Sequence, residues 1–129
     1  MALKPADIRR EWPRIRQEVA AILAGDDEPP EELYAECRFG RAQLYTCPEG
    51  FVVLKKYRRE DNGRPELLLW MAQGAGGGLL RRYLPQLEQI ARDTGAATLA
   101  FRTRRRGFER LLDQRWRLRA VEYQLDIQE

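Results

Sequence analysis

The chain has 129 residues, of which 43% are hydrophobic and 33% are charged, and its formal net charge is +3. This composition predicts one soluble globular domain over residues 1–129 and argues against a disordered or membrane-spanning chain. The sequence contains neither His nor Ser. That absence excludes Ser-His-Asp and Cys-His catalysis, His-ligated zinc and proton transfer by an imidazole.

The two cysteines, Cys37 and Cys47, are too few for a disulfide framework or a four-thiolate metal site. We predict two free thiols, an isolated bridge being the alternative in an oxidising compartment, and no metal site. The N-terminal residues 1–10 lack the apolar run of a secretory leader. We therefore expect a cytoplasmic protein.

Charge is distributed unevenly along the sequence. Six acids and no base lie within residues 26–36, whereas residues 102–119 contain eight arginines and only two acids. The basic segment can attract the phosphates of a nucleotide cofactor or of nucleic acid, or it can be a solvated face. The acidic segment can attract a cationic amine or simply favour solubility. We rank nucleic-acid binding last, because only Phe101 and Phe108 offer stacking surfaces near the arginines.

Two helices are predicted first. Apolar residues recur every three or four positions from Pro5 to Leu23, which is typical of an amphipathic helix, and Pro13 should kink this helix or begin a second piece of it. A second helix is expected from Pro29 and Pro30 through Arg38. Its inward face is predicted to consist of Leu33, Tyr34 and Cys37.

Three antiparallel strands should follow. Residues 42–45, a turn at residues 47–50 and the β-rich run Phe51 to Tyr57 predict a hairpin. The pair Asn62-Gly63 favours a tight type I′ turn. The nearly continuous apolar run from Glu66 to Ala72 then predicts a strand that is buried on both faces.

The second half of the chain predicts two more helices and two more strands. A helical pattern begins at Leu79 and is stopped by Gly95, and a strand is expected from Ala96 to Phe101. A helix over residues 105–114 and a strand over residues 121–127 complete the order α-α-β-β-β-α-β-α-β. The fold class is therefore α/β with a mixed sheet, and it includes a right-handed βαβ unit around a glycine-rich loop.

That glycine-rich loop, Gly74 to Gly78, joins a predicted strand to a predicted helix. Glycines allow positive φ and close approach of a ligand, and the unpaired N–H groups of a helix start attract anions. Arg81, in the first turn of the helix, adds positive charge. The loop is neither a P-loop nor a dinucleotide-binding fingerprint, because the required Gly-Lys-Ser/Thr and Gly-x-Gly-x-x-Gly frames are absent. We predict a phosphate or pyrophosphate site.

The frame Gln73-x-x-Gly76-x-Gly78 resembles the Gln/Arg-x-x-Gly-x-Gly/Ala signature of the GNAT superfamily of N-acyltransferases. The resemblance implies a GNAT-like fold, binding of acetyl-CoA or a related acyl-CoA, and a pantetheine arm lying where two parallel strands part. It implies that backbone N–H groups near Met71 and Ala72 face the thioester. The predicted cofactor-binding residues are Met71, Ala72, Gln73, Gly74, Ala75, Gly76, Gly77, Gly78 and Arg81.

The same resemblance implies transfer of the acyl group to an amine and makes Glu66 the candidate catalytic base; the alternative is a solvent-facing acid at the strand end. The family's tyrosine acid is not found, because Leu111 or Leu112 stands at its position when Trp116 is matched to the family's aromatic. Tyr57, Tyr83 and Tyr123 are candidate substitutes or half-buried aromatics. The family's final hairpin is also shortened here.

A looser resemblance links the chain to small GNAT-like proteins of tailed bacteriophages, through Trp12-Pro13, Ala91-Arg92 to Gly95 and the segment from Arg105 to Leu111. Three functions therefore stand side by side. The first is an acetyl-CoA-binding protein or acetyltransferase acting on a small-molecule or protein amine. The second is an inactive GNAT-like interaction protein, a homodimer or a virion-associated phage component. The third is a nucleic-acid-binding module.

Overall fold

The computed structural model describes residues 2–74, 78–102, 112–119, 123 and 125–127. Its elements, in chain order, are β1 (Lys4–Ala6), α1 (Ile8–Leu23), α2 (Pro30–Arg38), β2 (Ala42–Cys47), β3 (Gly50–Arg58), β4 (Pro65–Gly74), α3 (Leu79–Asp93) and β5 (Thr98–Phe101). The strands form one sheet in the order β1-β2-β3-β4-β5. Pairs from β1 to β4 are antiparallel, and β5 is parallel to β4. The predicted α/β class with a mixed sheet is confirmed.

Helices cover both faces of this sheet. The buried residues of α1 are Ile8, Ile15, Val19 and Leu23, and they pack with Leu33 of α2 in one core cluster. The buried side chains of α3 form a second cluster with alternate residues of β3 and β4. The amphipathic patterns predicted these packing faces correctly, including Leu33, Tyr34 and Cys37 of α2. Two separate clusters therefore sandwich the central strands.

Pro13 lies inside α1 without dividing it, so the expected second piece is wrong. The helix is continuous from Ile8 to Leu23, and Asp7 caps its start by accepting a hydrogen bond from the Arg9 N–H at 2.9 Å. Proline removes only one donor, and the buried apolar face extends beyond it on both sides. Packing of this face keeps the helix together.

The β3–β4 connection also differs from the type I′ turn that Asn62-Gly63 favours. That turn needs positive φ at both central residues. Gly63 has φ +68°, but Asn62 is not among the positive-φ residues, and the Asn62 side chain accepts a hydrogen bond from the Arg64 N–H. The loop is wider than a two-residue turn, because the Arg59 N–H donates a 2.9 Å hydrogen bond to the Arg64 C=O and so encloses residues 60–63. The turn is therefore longer than predicted.

An extra residue in β4 changes the facing of its side chains. Val53 is opposite Met71 and Leu54 is opposite Leu69, so Trp70 has no partner of its own in β3. Such a bulge reverses the alternation of side chains beyond it. Leu67 and Leu69 accordingly pack on the α3 side, whereas Met71 packs with the α1–α2 cluster. The bulge lies directly before the predicted cofactor-binding residues.

The predicted order of elements differs from the structure at both ends of the chain. β1 was not predicted, because three residues containing Pro5 give too short a pattern, yet β1 pairs with β2 at the sheet edge. The helix predicted over residues 105–114 falls mostly outside the described residues, and residues 112–114 are not helical. The strand predicted over residues 121–127 is described only at residues 123 and 125–127, which are not in a strand.

No helix within the described ranges is long and apolar enough to cross a bilayer. In the same residues, no group of three or more Cys, Asp or Glu side chains is arranged to hold a metal ion.

Candidate cofactor and acceptor site

The parallel strands β4 and β5 part halfway along β4. Their pairing runs from Glu66 opposite Thr98 to Leu69 opposite Phe101. β4 then continues to Gly74, bonded to β3 alone among the described residues. Successive residues of an antiparallel strand direct their backbone groups alternately toward and away from the partner. One amide of the pair Met71 and Ala72 is therefore directed into the opening beyond β5.

The end of β4 needs small residues. A Cβ at Gly50 would lie 1.8 Å from the Gln73 carbonyl oxygen, and a Cβ at Gly74 would lie 2.6 Å from Leu79 Cδ1. Gly78, at the N-cap of α3, has φ +72° with open space around its Cα. Gln73 and Gly74 are half-buried and Ala72 is exposed. Ala75, Gly76 and Gly77, predicted to hold the pyrophosphate, lie outside the described residues.

The start of α3 is rich in positive charge. Its first turn contains no acid, and no side chain caps it among the described residues. The first N–H groups of a helix have no partner within the helix and carry the positive end of its dipole. Arg81 is exposed, whereas Arg82 donates a 2.8 Å hydrogen bond to Glu49 in the β2–β3 turn. Among the described residues at this helix start, Arg81 is therefore the cation available to an anion.

Glu49 also joins the β2–β3 turn to the inner face of α3. Its second oxygen accepts a 2.8 Å hydrogen bond from the Tyr83 hydroxyl, which is buried. This bond and the one from Arg82 hold the pKa of Glu49 below its usual value. Burial, and next the hydrogen bond to Glu49, raise the pKa of Tyr83 to about 12. Tyr83 is thus a donor at neutral pH and a poor proton source.

This environment predicts how Tyr83 titrates. Because its folded-state pKa is raised above the ordinary value near 10, the stability that its neutral form contributes is fully present below about pH 10 and is lost as the pH rises toward 12. We expect the absorbance difference between the parent protein and Tyr83→Phe to show a tyrosinate transition near pH 12. A transition near pH 10 in folded protein would contradict the Glu49 contact.

Glu66, the candidate base, is a buried acid and does not face solvent. Only 1% of its surface is exposed. Its Oε1 accepts a 2.8 Å hydrogen bond from the Thr98 hydroxyl. Arg119 donates to both carboxylate oxygens, with an Nη2–Oε2 distance of 3.0 Å. The alternative of a solvent-facing strand-end acid is therefore wrong, and the carboxylate is fully engaged.

Opposing effects act on the proton affinity of Glu66. Burial raises its pKa, but the hydrogen bonds from Arg119 and Thr98, with the charges of Arg119 and Arg102, outweigh burial and leave the pKa below the usual value. The group is consequently ionised at neutral pH and only weakly basic. In this arrangement its strongest property is the ability to hold a cation.

Arg119 belongs to a C-terminal segment, residues 112–119, which we call the strap. The Trp116 and Phe101 rings pack edge-on, with 5.3 Å between their centroids. Arg115 donates a hydrogen bond to Glu88 of α3. Phe101 packs with the α3-side cluster. Glu66 alternates with Leu67 and so leaves the sheet on the opposite side. The strap therefore crosses the edge of the sheet at β5, from one face to the other.

A pocket of about 140 Å³ lies between the strap and the first turns of α3. It is lined by Leu80, Arg81, Leu84, Leu112, Asp113 and Trp116. Trp116 links it to Phe101, where β5 ends. This volume can take only part of a cofactor-sized ligand, since whole-ligand sites measure roughly 300–1,000 Å³. The pocket therefore lies beside the start of α3 and next to the end of β5.

The remaining candidate residues are the two cysteines, Tyr57, which is opposite Glu66 in the β3–β4 register, Tyr123 and an arginine run that is only partly described. Both cysteines are free, and burial raises the pKa of Cys37 to about 11. Tyr57 is partly buried and Tyr123 is 92% exposed. Of the arginine run at residues 102–106, only Arg102 is described, and it is exposed.

The architecture matches solved acetyltransferase structures. One neighbour, a Pyrococcus furiosus protein provisionally assigned as an acetyl transferase, has a TM-score of 0.70 and 14% identity, with 97% of this chain and 99% of that chain covered. An aminoglycoside acetyltransferase from an uncultured soil metagenomic sample, solved with sisomicin, has a TM-score of 0.65 and 9% identity over 98% and 95% of the chains. A Trypanosoma brucei acetyltransferase has a TM-score of 0.63 and 13% identity over 97% and 98%.

The chain has the GNAT fold. No protein-family model and no curated protein sequence matches it. The parting of β4 from β5 is the one that the resemblance to the GNAT superfamily implied. Sequence reasoning missed Thr98 and Arg119, which complete the surroundings of Glu66. The dense arginines of the strap were visible, but nothing in the sequence identified which one reaches β4.

Proposed function

We propose that the chain is an acetyl-CoA-dependent N-acetyltransferase that acts on a primary amine. The observation that carries the proposal is the opening beside residues 70–74 of β4, which leads to the uncapped start of α3. An enzyme of this kind needs a slot for an extended thioester arm and donors for a diphosphate at one end of that slot. The opening beside β4 and the unpaired N–H groups at the start of α3 support the proposal that both lie here.

The described residues fit such a cofactor. Gly50 and Gly74 keep the end of β4 close to its neighbours, and Gly78 leaves open space at the helix start. The N–H groups there, with Arg81, suit phosphate oxygens. In the proposal, the backbone of Gln73 to Gly78 holds the diphosphate, and Leu80, Leu84 and Trp116 line the adjoining pocket.

Acetyl-CoA, when bound, supplies an acetyl group activated as a thioester. The chain's own part is to place the reactants and to accept a proton. The amide of Met71 or Ala72 that is directed away from β3 can donate a hydrogen bond to a carbonyl oxygen in the opening. The fixed strand geometry favours reaction by holding that donor in place before the substrates meet.

Glu66 remains the proposed base, but only in a state in which Arg119 no longer contacts the carboxylate. Its Cα lies about five residues along β4 from Met71, which corresponds to roughly 15 Å of extended strand. A proton can therefore reach the carboxylate only through intervening water. Losing the Arg119 contacts would remove the main influence that lowers the Glu66 pKa and would make the group a stronger base.

Cofactor binding is tested on α3, where two exposed arginines provide matched variants. Acetyl-CoA should raise the melting temperature in a dose-dependent way, because a ligand that binds only the folded state stabilises it. Arg81→Glu, in the first turn, should weaken binding about tenfold, as expected for losing a charge-assisted phosphate contact of about 1.4 kcal/mol. Arg92→Glu, in the last turn, should leave the acetyl-CoA dissociation constant unchanged.

Turnover is measured separately as release of the free thiol of coenzyme A with primary amines. Release that depends on an amine supports the enzyme. The absence of any melting shift at millimolar acetyl-CoA, or an equal loss of binding in Arg81→Glu and Arg92→Glu, would contradict the proposed site.

A second function is favoured by two observations, one on the proposed base and one on the missing tyrosine acid. Glu66 is held by Arg119, and leucine occupies both positions where the family's tyrosine acid would stand. A GNAT-fold protein that binds acetyl-CoA without transferring the acetyl group, and acts through a protein partner, would have this arrangement. Melting shifts with acetyl-CoA but no thiol release from a broad panel of amines would favour this function, with a second copy or a phage structural protein among the partners to test.

A further inference from the structure

The geometry around Glu66 points to a cation-binding site that the chain itself fills. We propose that the Glu66 carboxylate and the Thr98 hydroxyl form this site, that Arg119 occupies it in the state described here, and that an acceptor bearing an ammonium or guanidinium group enters by displacing Arg119. The assignment to an acceptor rests on the proposed acetyltransferase function. The cation site itself does not.

Glu66 and Arg119 differ in burial. The Glu66 side chain is 0% exposed, whereas the Arg119 side chain is 40% exposed. The guanidinium therefore covers the carboxylate from the solvent side. Removing the guanidinium would open a path to the carboxylate without disturbing β4, because the Thr98 hydroxyl of β5 still donates a hydrogen bond to Glu66.

The chemistry of the Glu66 carboxylate favours a cation as its partner. An ionised carboxylate that accepts two parallel guanidinium hydrogen bonds is preorganised for another planar or tetrahedral cation. Burial makes the carboxylate costly to leave without a partner, so any cation that fits gains from pairing with it. A neutral amine or an anion would gain nothing there. The site therefore selects positively charged acceptors.

Arg119, the residue that blocks the site, can leave it. Arg119 belongs to the strap, whose outer residues Arg117 and Leu118 are exposed, with Leu118 88% exposed. The strap is held at other points by Arg115 to Glu88 and by Trp116 against Phe101. Arg119 can release Glu66 while those contacts keep the rest of the strap on the protein.

Chemical rescue of Arg119→Ala tests the site without any cofactor. Ethylguanidinium chloride should raise the melting temperature of Arg119→Ala saturably, by several degrees at ten times its dissociation constant. The neutral analogue ethylurea should not do so. The same salt should have no saturable effect on the parent protein, on Arg117→Ala, or on Arg119→Ala combined with Glu66→Gln.

If Arg119→Ala is unfolded, recovery of its folded circular dichroism spectrum by ethylguanidinium replaces the melting curve. A response equal to that of ethylurea, a response that survives Glu66→Gln, or no recovery of an unfolded variant would overturn the cation site.

Acceptor entry is tested by thiol release from acetyl-CoA with spermine, whose extended length can span the roughly 15 Å from Glu66 to Met71. Arg119→Ala should lower the KM for the polyamine at least fivefold relative to the parent, because no guanidinium has to be displaced. An unchanged or higher KM would overturn the displacement. No thiol release from either protein, together with successful ethylguanidinium rescue, would refute the acetyltransferase and the acceptor assignment while supporting the cation site.

Discussion

Arg119→Ala is expected to lower the free energy of unfolding by about 3 kcal/mol, because it leaves a buried carboxylate without its cation. Glu66 is the one charged residue among the buried ones in the described part of the chain. The partial exposure of Arg119 keeps the loss at the low end of the range for buried pairs, since water can enter. Urea unfolding monitored by circular dichroism measures the change.

Two controls identify the cause of that loss. Arg117→Ala, on the same strap, should change the free energy of unfolding by less than about 0.5 kcal/mol, as is usual for exposed positions. Replacing both partners, Glu66→Leu with Arg119→Met, should cost less than Arg119→Ala alone, because no buried charge remains. A double variant less stable than Arg119→Ala would show that the stability comes from packing at these positions.

The same pair gives a pH dependence with a definite sign. The pKa of Glu66 is lowered in the folded protein, so its stabilising contribution is present above the ordinary carboxyl range and is lost as the pH falls through the folded-state pKa. Without Arg119, burial should raise the Glu66 pKa instead. The stability difference between the parent and Arg119→Ala should therefore shrink as the pH falls.

Gly50→Ala is the second change with a large expected effect, about 3 kcal/mol of destabilisation. The added Cβ would lie 1.8 Å from the Gln73 carbonyl oxygen, which is backbone and cannot rotate away. The start of β3 must then move from the end of β4, as in overpacking of a core. Because Gly50 is opposite Gly74, acetyl-CoA binding should weaken together with stability.

Gly63→Ala provides the matched comparison for Gly50→Ala. Gly63 has φ +68° but nothing within 4 Å of its built Cβ, so only backbone strain of about 1 kcal/mol applies. Acetyl-CoA binding should be unchanged in this variant. Equal destabilisation by the two substitutions in urea unfolding would contradict the close approach of β3 to Gln73.

The parts of the fold that depend on local periodicity were predictable from the sequence. The apolar repeat and Gly95 fixed α3 closely, and the strand before the glycine-rich loop was visible as an apolar run. β1 was not predicted, because a three-residue strand that contains proline is too short to show an alternation of apolar and polar residues. The type I′ turn predicted at Asn62-Gly63 was wrong, because strand register, and not the Asn-Gly pair alone, decides where the hairpin closes.

The part of the site that is formed by the backbone of a local motif was predictable. The part that depends on pairing between side chains far apart in the sequence was not. Gln73 and Gly78 stand in a motif with fixed spacing, so their place at the end of β4 and the start of α3 follows from the sequence. Arg119 is 53 residues from Glu66 and is one of 20 arginines. Only the three-dimensional path of the strap selects it.

Acetyl-CoA is proposed to lie against the start of α3 and beside the end of β4, which pairs with β3 alone among the described residues. Titrating ¹⁵N-labelled protein with acetyl-CoA and following backbone amide shifts tests it directly. The account predicts saturable shifts at residues 71–74 and 79–81, with Thr46 in β2 unchanged. Shifts confined to the separate pocket lined by Ala6 to Arg9 and by Cys37, Arg38, Gln43 and Leu44, or no shifts at millimolar ligand, would contradict it.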